Sequence, residues 1–187
     1  MRFKTRFLLG ASALGLCVIL AASAPASQDA SDEKGSGDHA AQGFTLLKQL
    51  VGEWVMVGED GKPGEEITSR ARLTAGGSTI LETIFPGTEK EMVTAYHRDG
   101  EDLVLTHYCV LGNQPRMKAQ PTKAKNRLRF VCSGWTNMKS HDDSHMHEGR
   151  LTFEDENHLS TEWLLYEKGV KAYSAKFKLV RKERAGK

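Results

Sequence analysis

The chain has 187 residues, of which 39% are hydrophobic and 27% are charged. This composition is typical of one globular domain and excludes a collagen-like or wholly disordered chain. The 26 basic and 24 acidic residues give a formal net charge of +2, so overall charge offers no support for nucleic-acid binding. Three cysteines in this length are too few for a disulfide-rich scaffold.

Residues 1–26 have the pattern of a secretory signal peptide. Basic residues precede an apolar run, and Ala24-Pro25-Ala26 places small residues where a signal peptidase acts, so we expect cleavage after Ala26. The apolar run is shorter than the ~20 residues of a spanning helix, although an uncleaved anchor is the alternative. Leu16 before Cys17 argues against a lipoprotein signal.

This segment predicts a periplasmic or secreted protein in an oxidising compartment. No later stretch of the sequence is long and apolar enough to span a membrane, so we expect no stable membrane insertion after cleavage. We expect the mature protein to be a monomer or a weak dimer.

The segment 27–42 is rich in Ser, Asp, Gly and Ala and predicts a flexible linker. After it, Phe44, Leu46, Leu47 and Leu50 fall at short helical spacing, which indicates one or two turns of helix ending near Gly52. We assign residues 43–182 to one domain and residues 183–187 to a basic tail.

From Glu53 onward the pattern is one of strands and turns. Dipeptides such as Asp60-Gly61, Asp99-Gly100 and Lys168-Gly169 are typical of hairpins. Without a helical crossover between strands, the pattern predicts an all-β fold: an antiparallel up-and-down β-barrel of about nine to ten strands, with a sandwich as the alternative. The predicted strands are 54–57, 67–74, 79–85, 91–98, 103–110, 127–133, 147–153, 159–166 and 172–180, with long loops at 111–126 and 134–144.

The short helix followed by Gly52-Glu53-Trp54 is similar to the opening of calycin barrels, which include lipocalins, fatty-acid-binding proteins and nitrobindin-like proteins. There a Gly-x-Trp motif enters the first strand and its Trp closes the barrel base. The similarity in layout covers residues 43–182 and implies a barrel that binds a small molecule. The nitrobindin-like likeness would imply haem on a His, but no specific His of this chain aligns with that ligand.

A second resemblance lies in the segment 107–117. His107-Tyr108-Cys109, followed by Gly112-Asn113-Gln114-Pro115-Arg116-Met117, resembles a group of uncharacterised bacterial secreted proteins. That resemblance implies no particular chemistry.

Strand alternation predicts a group of polar side chains inside the barrel. The strands 103–109, 127–133 and 145–153 each place Cys or His on the same face as their apolar residues. Because consecutive strands of a meander are neighbours, we expect these side chains to cluster at one end of the core. The group consists of His107, Cys109, Cys132, His145 and His147.

Three interpretations of this group stay open. Cys109 and Cys132 could form a disulfide between neighbouring strands. All five residues could instead bind zinc or copper, with nearby methionines favouring Cu(I). Finally, the polar groups could line a cavity for an organic ligand or haem. The ligand-binding candidates are His107, Tyr108, Arg116, Phe130, His145 and His147.

Other features point less directly to a site. The basic stretch between Arg116 and Arg129 predicts a solvated face, or a site that attracts an anionic headgroup at the barrel mouth. We expect Glu82 to face solvent, because Leu81, Thr83 and Phe85 make an equally good inner face.

Recognisable catalytic motifs are missing from the sequence. It has no Gly-x-Ser-x-Gly elbow, no phosphate-binding Gly-rich loop before a helix and no His-Glu-x-x-His. This favours a binding protein over an enzyme. We expect a lipocalin-like protein that holds a small apolar or amphipathic ligand without a cofactor. The alternative is copper, zinc or haem bound through the His/Cys group.

Overall fold

Ten antiparallel strands, connected in chain order, close into a barrel in the computed structural model, which describes residues 36–183. The predicted signal peptide (1–26), most of the predicted linker and the last four residues of the predicted tail lie outside the described residues. Within residues 36–183, no helix has the length and apolar character needed to cross a membrane.

Each strand pairs with the next along the chain, and the last strand pairs with the first. The predicted up-and-down barrel is therefore confirmed, and the sandwich is excluded. A helix, α1 (Ser36–Leu47), and a 3-10 turn, Lys48–Leu50, precede the barrel, and a second 3-10 turn, Ala75–Gly77, joins β2 to β3. The strands are β1 (Gly52–Val57), β2 (Pro63–Thr74), β3 (Thr79–Ile84), β4 (Met92–Asp99), β5 (Asp102–Tyr108), β6 (Gln114–Gln120), β7 (Arg127–Thr136), β8 (His145–Phe153), β9 (His158–Glu167) and β10 (Val170–Arg181).

One strand, β6, lies inside the segment 111–126 that the sequence predicts as a loop. Its inward positions are Pro115, Met117 and Ala119, and polar residues alternate with them. A strand with a proline and one large apolar residue gives a weak sequence signal. Since β6 separates β5 from β7, the expectation that these two strands are neighbours is wrong.

The helix α1 begins at Ser36, so residues 36–42 belong to the helix and the predicted linker is too long. Ala40, Phe44 and Leu47 are buried and follow the spacing of one helical face. This face packs into the same core as the inward residues of the barrel. The burial of Ala40 explains why the helix extends further toward the N-terminus than the large apolar residues indicate.

The barrel closes around the side chains of Trp54 and Arg181. Trp54 is fully buried, and the Arg181 guanidinium carbon lies 4.3 Å from the centroid of its ring. The same guanidinium donates hydrogen bonds to the carbonyls of Gln49, Val51 and Glu156 at 2.7, 2.8 and 2.9 Å. One side chain of β10 therefore holds the 3-10 turn, the start of β1 and the β8–β9 turn together.

Gly52 makes this arrangement possible. Its φ is +133°, a region that L side chains rarely adopt, and a Cβ atom there would lie 2.6 Å from an Arg181 nitrogen. Two residues later, the Trp54 Nε1–H donates to the Leu50 carbonyl at 2.8 Å. The Gly-x-Trp pattern thus has a physical basis here: the glycine leaves room for the guanidinium, and the tryptophan supplies the ring beneath it.

We expect Arg181→Met to lower the free energy of unfolding by about 2–4 kcal/mol, because it leaves carbonyls without donors and removes the cation from the Trp54 face. The control is Arg98→Met, which removes an exposed side chain with one long hydrogen bond of 3.5 Å to the Gly100 carbonyl; its effect should stay within about 0.5 kcal/mol. Denaturant unfolding followed by tryptophan fluorescence measures both. Equal losses in the two variants would contradict this role of Arg181.

Candidate functional site: the barrel cavity

The barrel holds a cavity of about 360 Å³, which is within the size range of small-molecule sites. Its wall is mostly apolar, with Met146, Trp163 and Phe177 among the lining side chains. Lys90 and Tyr173, both exposed, also line it and therefore lie at its rim. An apolar wall with a few polar groups is the usual construction of a site for an organic ligand.

A buried carboxyl group forms part of this wall. Glu82 is only 5% exposed and accepts hydrogen bonds from the Ser69 hydroxyl at 2.6 Å and the Tyr96 hydroxyl at 2.7 Å. The expectation that Glu82 faces solvent is wrong, because β3 turns its even-numbered residues inward and Ile80 is fully buried beside it. Burial raises the pKa of Glu82, while the two hydroxyl donors partly oppose that rise.

The hydrogen bonds continue from Glu82 to His107. Tyr96 donates to Glu82. Burial raises the pKa of Tyr96, and the Thr94 hydroxyl partly opposes that rise, as a donor to the phenol oxygen does. The same hydroxyl lies 2.9 Å from His107 Nδ1. Because the Tyr96 proton is already directed at Glu82, Thr94 donates to the Tyr96 oxygen and accepts from His107 Nδ1–H. This order places the imidazole proton on Nδ1 and leaves Nε2 as a hydrogen-bond acceptor.

The environment of His107 keeps its ring neutral. The residue is 2% exposed, its ring stacks on Trp163 with centroids 5.4 Å apart, and its buried Nε2 has no hydrogen-bond partner. Burial lowers the pKa of His107 to about 4, because a charged imidazole loses its hydration there. The cavity wall therefore carries one unpaired acceptor beside a large aromatic face.

Of the six predicted ligand-binding residues, His107 alone lines this cavity. Tyr108 is exposed at the end of β5, Arg116 is exposed on β6, and Phe130 is fully buried against the Tyr96 ring. The lining residues Glu82, Tyr96, Met146 and Trp163 were not predicted as site residues. The sequence does carry a signal for the inward position of Glu82, because Ile80 and Ile84, two positions away on either side, share its face of β3.

His145 and His147 are not part of the cavity wall. The pairing of β8 with β9 shifts register between Met146 and Glu148. Because of this bulge, the odd-numbered residues of β8 before it no longer share the inward face of Leu151. Met146 therefore lines the cavity instead, while the His147 ring stacks on Tyr166 with centroids 4.2 Å apart. The predicted single cluster of five inward residues is wrong for this reason.

The two cysteines are also separated. Cys109 and Cys132 are free, half-buried thiols, so the expected disulfide is not formed, and β6 lies between their strands. Burial raises the pKa of both thiols. Cys132 instead lies with His145 and His147, and the ligand atoms of these three residues are all within 4.8 Å of one another.

Comparison of the chain with protein-family models and with curated proteins found no match. A closed ten-stranded antiparallel barrel that opens with Gly52-x-Trp54 is consistent with the calycin-like layout.

The depressed pKa of His107 predicts a specific loss of stability in acid. Between about pH 6.5 and its folded pKa of about 4, the unfolded chain binds a proton that the folded protein does not. Stability is therefore full above pH 6.5 and falls as the pH is lowered. We expect the unfolding free energy of the wild type to fall by about 3 kcal/mol more than that of His107→Gln between pH 7 and pH 4.

Urea unfolding of both proteins at several pH values measures this difference, and other titrating groups cancel in the comparison. His39→Gln is the control, since His39 is an exposed histidine on α1 and its replacement should leave the pH dependence near the wild type. Parallel pH profiles for the wild type and His107→Gln would show that His107 protonates as easily in the folded protein as in the unfolded chain.

Proposed function

We propose that this protein binds a small, largely apolar molecule inside its barrel and that the molecule donates a hydrogen bond to His107. The observation that carries the proposal is the buried, unpartnered Nε2 of His107 in the wall of a 360 Å³ cavity. The sequence pattern of residues 1–26 supports an extracytoplasmic place of action. We therefore propose an exported small-molecule-binding protein.

The chemistry of the wall defines the class of ligand. A buried nitrogen without a partner costs about 1–3 kcal/mol, and a hydroxyl or N–H of a ligand would recover that energy. The stacked Trp163 ring favours a flat apolar body next to this donor. At the rim, the exposed Lys90 suits an anionic or strongly polar end, so an amphipathic molecule would match both ends of the site.

Haem fits this cavity poorly. His107 Nε2 would be a suitable axial ligand by its chemistry, because Nδ1 is held by Thr94. However, the cavity volume of about 360 Å³ is near the lower limit for drug-sized ligands. It suits a molecule of one to three rings better than a tetrapyrrole, so we assign the site to a smaller organic ligand.

Filling the cavity should abolish binding of an amphipathic probe. We expect 8-anilinonaphthalene-1-sulfonate to bind the wild type with enhanced fluorescence, and Ala175→Phe, which places a ring in the cavity wall, to weaken binding at least about tenfold. Ala172→Phe adds the same ring at an exposed position of the same strand and should leave binding unchanged. Circular dichroism confirms that both variants are folded. Equal affinities for Ala175→Phe and the wild type would place the probe outside the barrel.

A matched pair of ligands tests the hydrogen bond to His107. 2-Naphthol and naphthalene differ by one hydroxyl, so the ratio of their affinities reports on a donor to Nε2. We expect this ratio to fall about tenfold in His107→Phe, which corresponds to the loss of one hydrogen bond of about 1.4 kcal/mol. The two affinities are measured by fluorescence titration of wild type and variant. A ratio that is the same in both proteins would remove His107 from the proposed site.

A further inference from the structure

We infer that Cys132, His145 and His147 form a second site, which binds one transition-metal ion of the zinc and copper class. Their ligand atoms all lie within 4.8 Å of one another, and none of the three residues lines the barrel cavity. One thiolate and two imidazoles are a donor set that Zn²⁺ and copper ions favour over Mg²⁺ or Ca²⁺. The proposal is thus independent of the ligand site in the barrel.

The hydrogen bonds of His145 set its ring in the state that a metal requires. Its Nδ1 lies 2.7 Å from the Asp143 carbonyl oxygen, which can only accept, so Nδ1 carries the proton and Nε2 presents a lone pair. A carbonyl behind a ligating histidine is the usual support of a metal site, since it fixes the tautomer and orients the ring. His145 is also 1% exposed, so this orientation is held by packing as well.

The spacing between the two histidines is close to that of a metal site. His145 Nε2 and His147 Nδ1 are 3.0 Å apart. With Zn–N distances of about 2.0–2.1 Å, two nitrogens on one tetrahedral ion lie about 3.3 Å apart. A rotation of the His147 ring that breaks this hydrogen bond and turns its Nδ1 toward the same point as His145 Nε2 would let both nitrogens bind one ion. Cys132 Sγ has only a weak contact of 3.5 Å with the Gly134 carbonyl to give up.

The bulge in β8 creates this arrangement. In a regular strand, residues two positions apart project in parallel, whereas the register shift at His147 lets its Nδ1 approach the Nε2 of His145. The stacking of His147 on Tyr166 keeps its ring in this position.

The loop 137–144, which leads into β8 and supplies the Asp143 carbonyl, is fixed to hairpins on both sides. The Asn113 side chain donates to the Ser144 carbonyl at 2.8 Å, and the Lys168 N–H donates to the Asp142 carbonyl at 2.9 Å. Within the loop, Asp143 Oδ2 accepts from the Lys139 N–H at 2.7 Å. The carbonyl that orients His145 is therefore part of a preorganised segment, which lowers the ordering cost of binding.

His141 of the same loop lies next to the two histidines of the site. The centroid of its exposed ring is 6.2 Å from that of His145 and 6.3 Å from that of His147, and the Trp135 ring supports it at 4.3 Å. The site would hold the ion through three residues and complete its shell with water or with His141. On binding, the Cys132 thiol proton is released to solvent and the His147 proton moves from Nδ1 to Nε2.

Two similar thiols in one chain provide a matched test. The full-length protein is prepared without an affinity tag, stripped with a chelator and titrated with Zn²⁺ in equilibrium dialysis, and with Co²⁺ as a spectroscopic probe. We expect one ion per chain and a sulfur-to-cobalt charge-transfer band in the near ultraviolet. The band should be lost in Cys132→Ser and retained in Cys109→Ser, whose thiol is also free and half-buried.

The histidines are tested in the same way. His147→Gln should weaken Zn²⁺ binding about 10–100-fold, while His97→Gln, a change in a partly exposed histidine on β4, should leave it unchanged. If the Cys132 and His147 variants do not fold, protection of the wild-type thiols decides the matter. Zn²⁺ should slow alkylation of Cys132 but not of Cys109, as read by peptide mass spectrometry.

Three results would overturn the proposal: no stoichiometric binding of either Zn²⁺ or copper, a cobalt band that survives in Cys132→Ser, or equal alkylation of Cys132 with and without the metal that binds. Copper found at one ion per chain in the protein as purified, and lost in Cys132→Ser, would support the site with the other metal of the class.

Discussion

The packing of Arg181 on Trp54 is the contact on which the barrel depends, because it joins the two strands that close the sheet. β10 and β1 pair directly over only a few residues. The Arg181 guanidinium adds three hydrogen bonds across this junction, to the carbonyls of Gln49 in the 3-10 turn, Val51 just before β1 and Glu156 in the β8–β9 turn. The Val51 carbonyl is partly buried, so the loss of its donor would be the costliest of the three. β10 in turn supplies Ala175, Phe177 and Leu179 to the cavity wall, so closure at the base and the shape of the binding site are linked.

Inside the barrel, the buried polar groups form one series of hydrogen bonds, which runs from Glu82 to His107. Ser69 and Tyr96 donate to Glu82, and Thr94 lies between Tyr96 and His107. This series of hydrogen bonds ends at His107 Nε2, which has no partner. Each hydroxyl has one proton, so the buried carboxyl at one end determines which atom remains unpaired at the other. The buried carboxyl of Glu82 therefore has a consistent role: as the acceptor of the Tyr96 proton, it sets the order of hydrogen bonds that leaves His107 Nε2 as an acceptor.

The sequence predicts the architecture well because turns and alternation are local. Hairpin dipeptides and the Gly52-x-Trp54 pattern lead to the meander and to its closure. Three features are not decided by these local patterns. β6 has Met117 as its one large inward residue, Glu82 lies on a strand whose two faces are about equally apolar in sequence, and the bulge at His147 depends on pairing with β9. Each error in the candidate site follows from one of these, and the bulge in particular changes which face two histidines occupy without any change in composition.

That bulge also divides adjacent positions of β8 between two environments. Met146 lines the cavity, while His145 and His147, on either side of it, approach each other outside the cavity wall. A regular strand would have placed both histidines on the face that Leu151 occupies and would have filled the interior with two imidazoles. The register shift keeps the interior apolar enough for an organic ligand. It also brings His145 Nε2 and His147 Nδ1 to 3.0 Å from each other, next to the loop 137–144. One irregularity in strand pairing therefore separates the polar histidine pair from the apolar cavity wall.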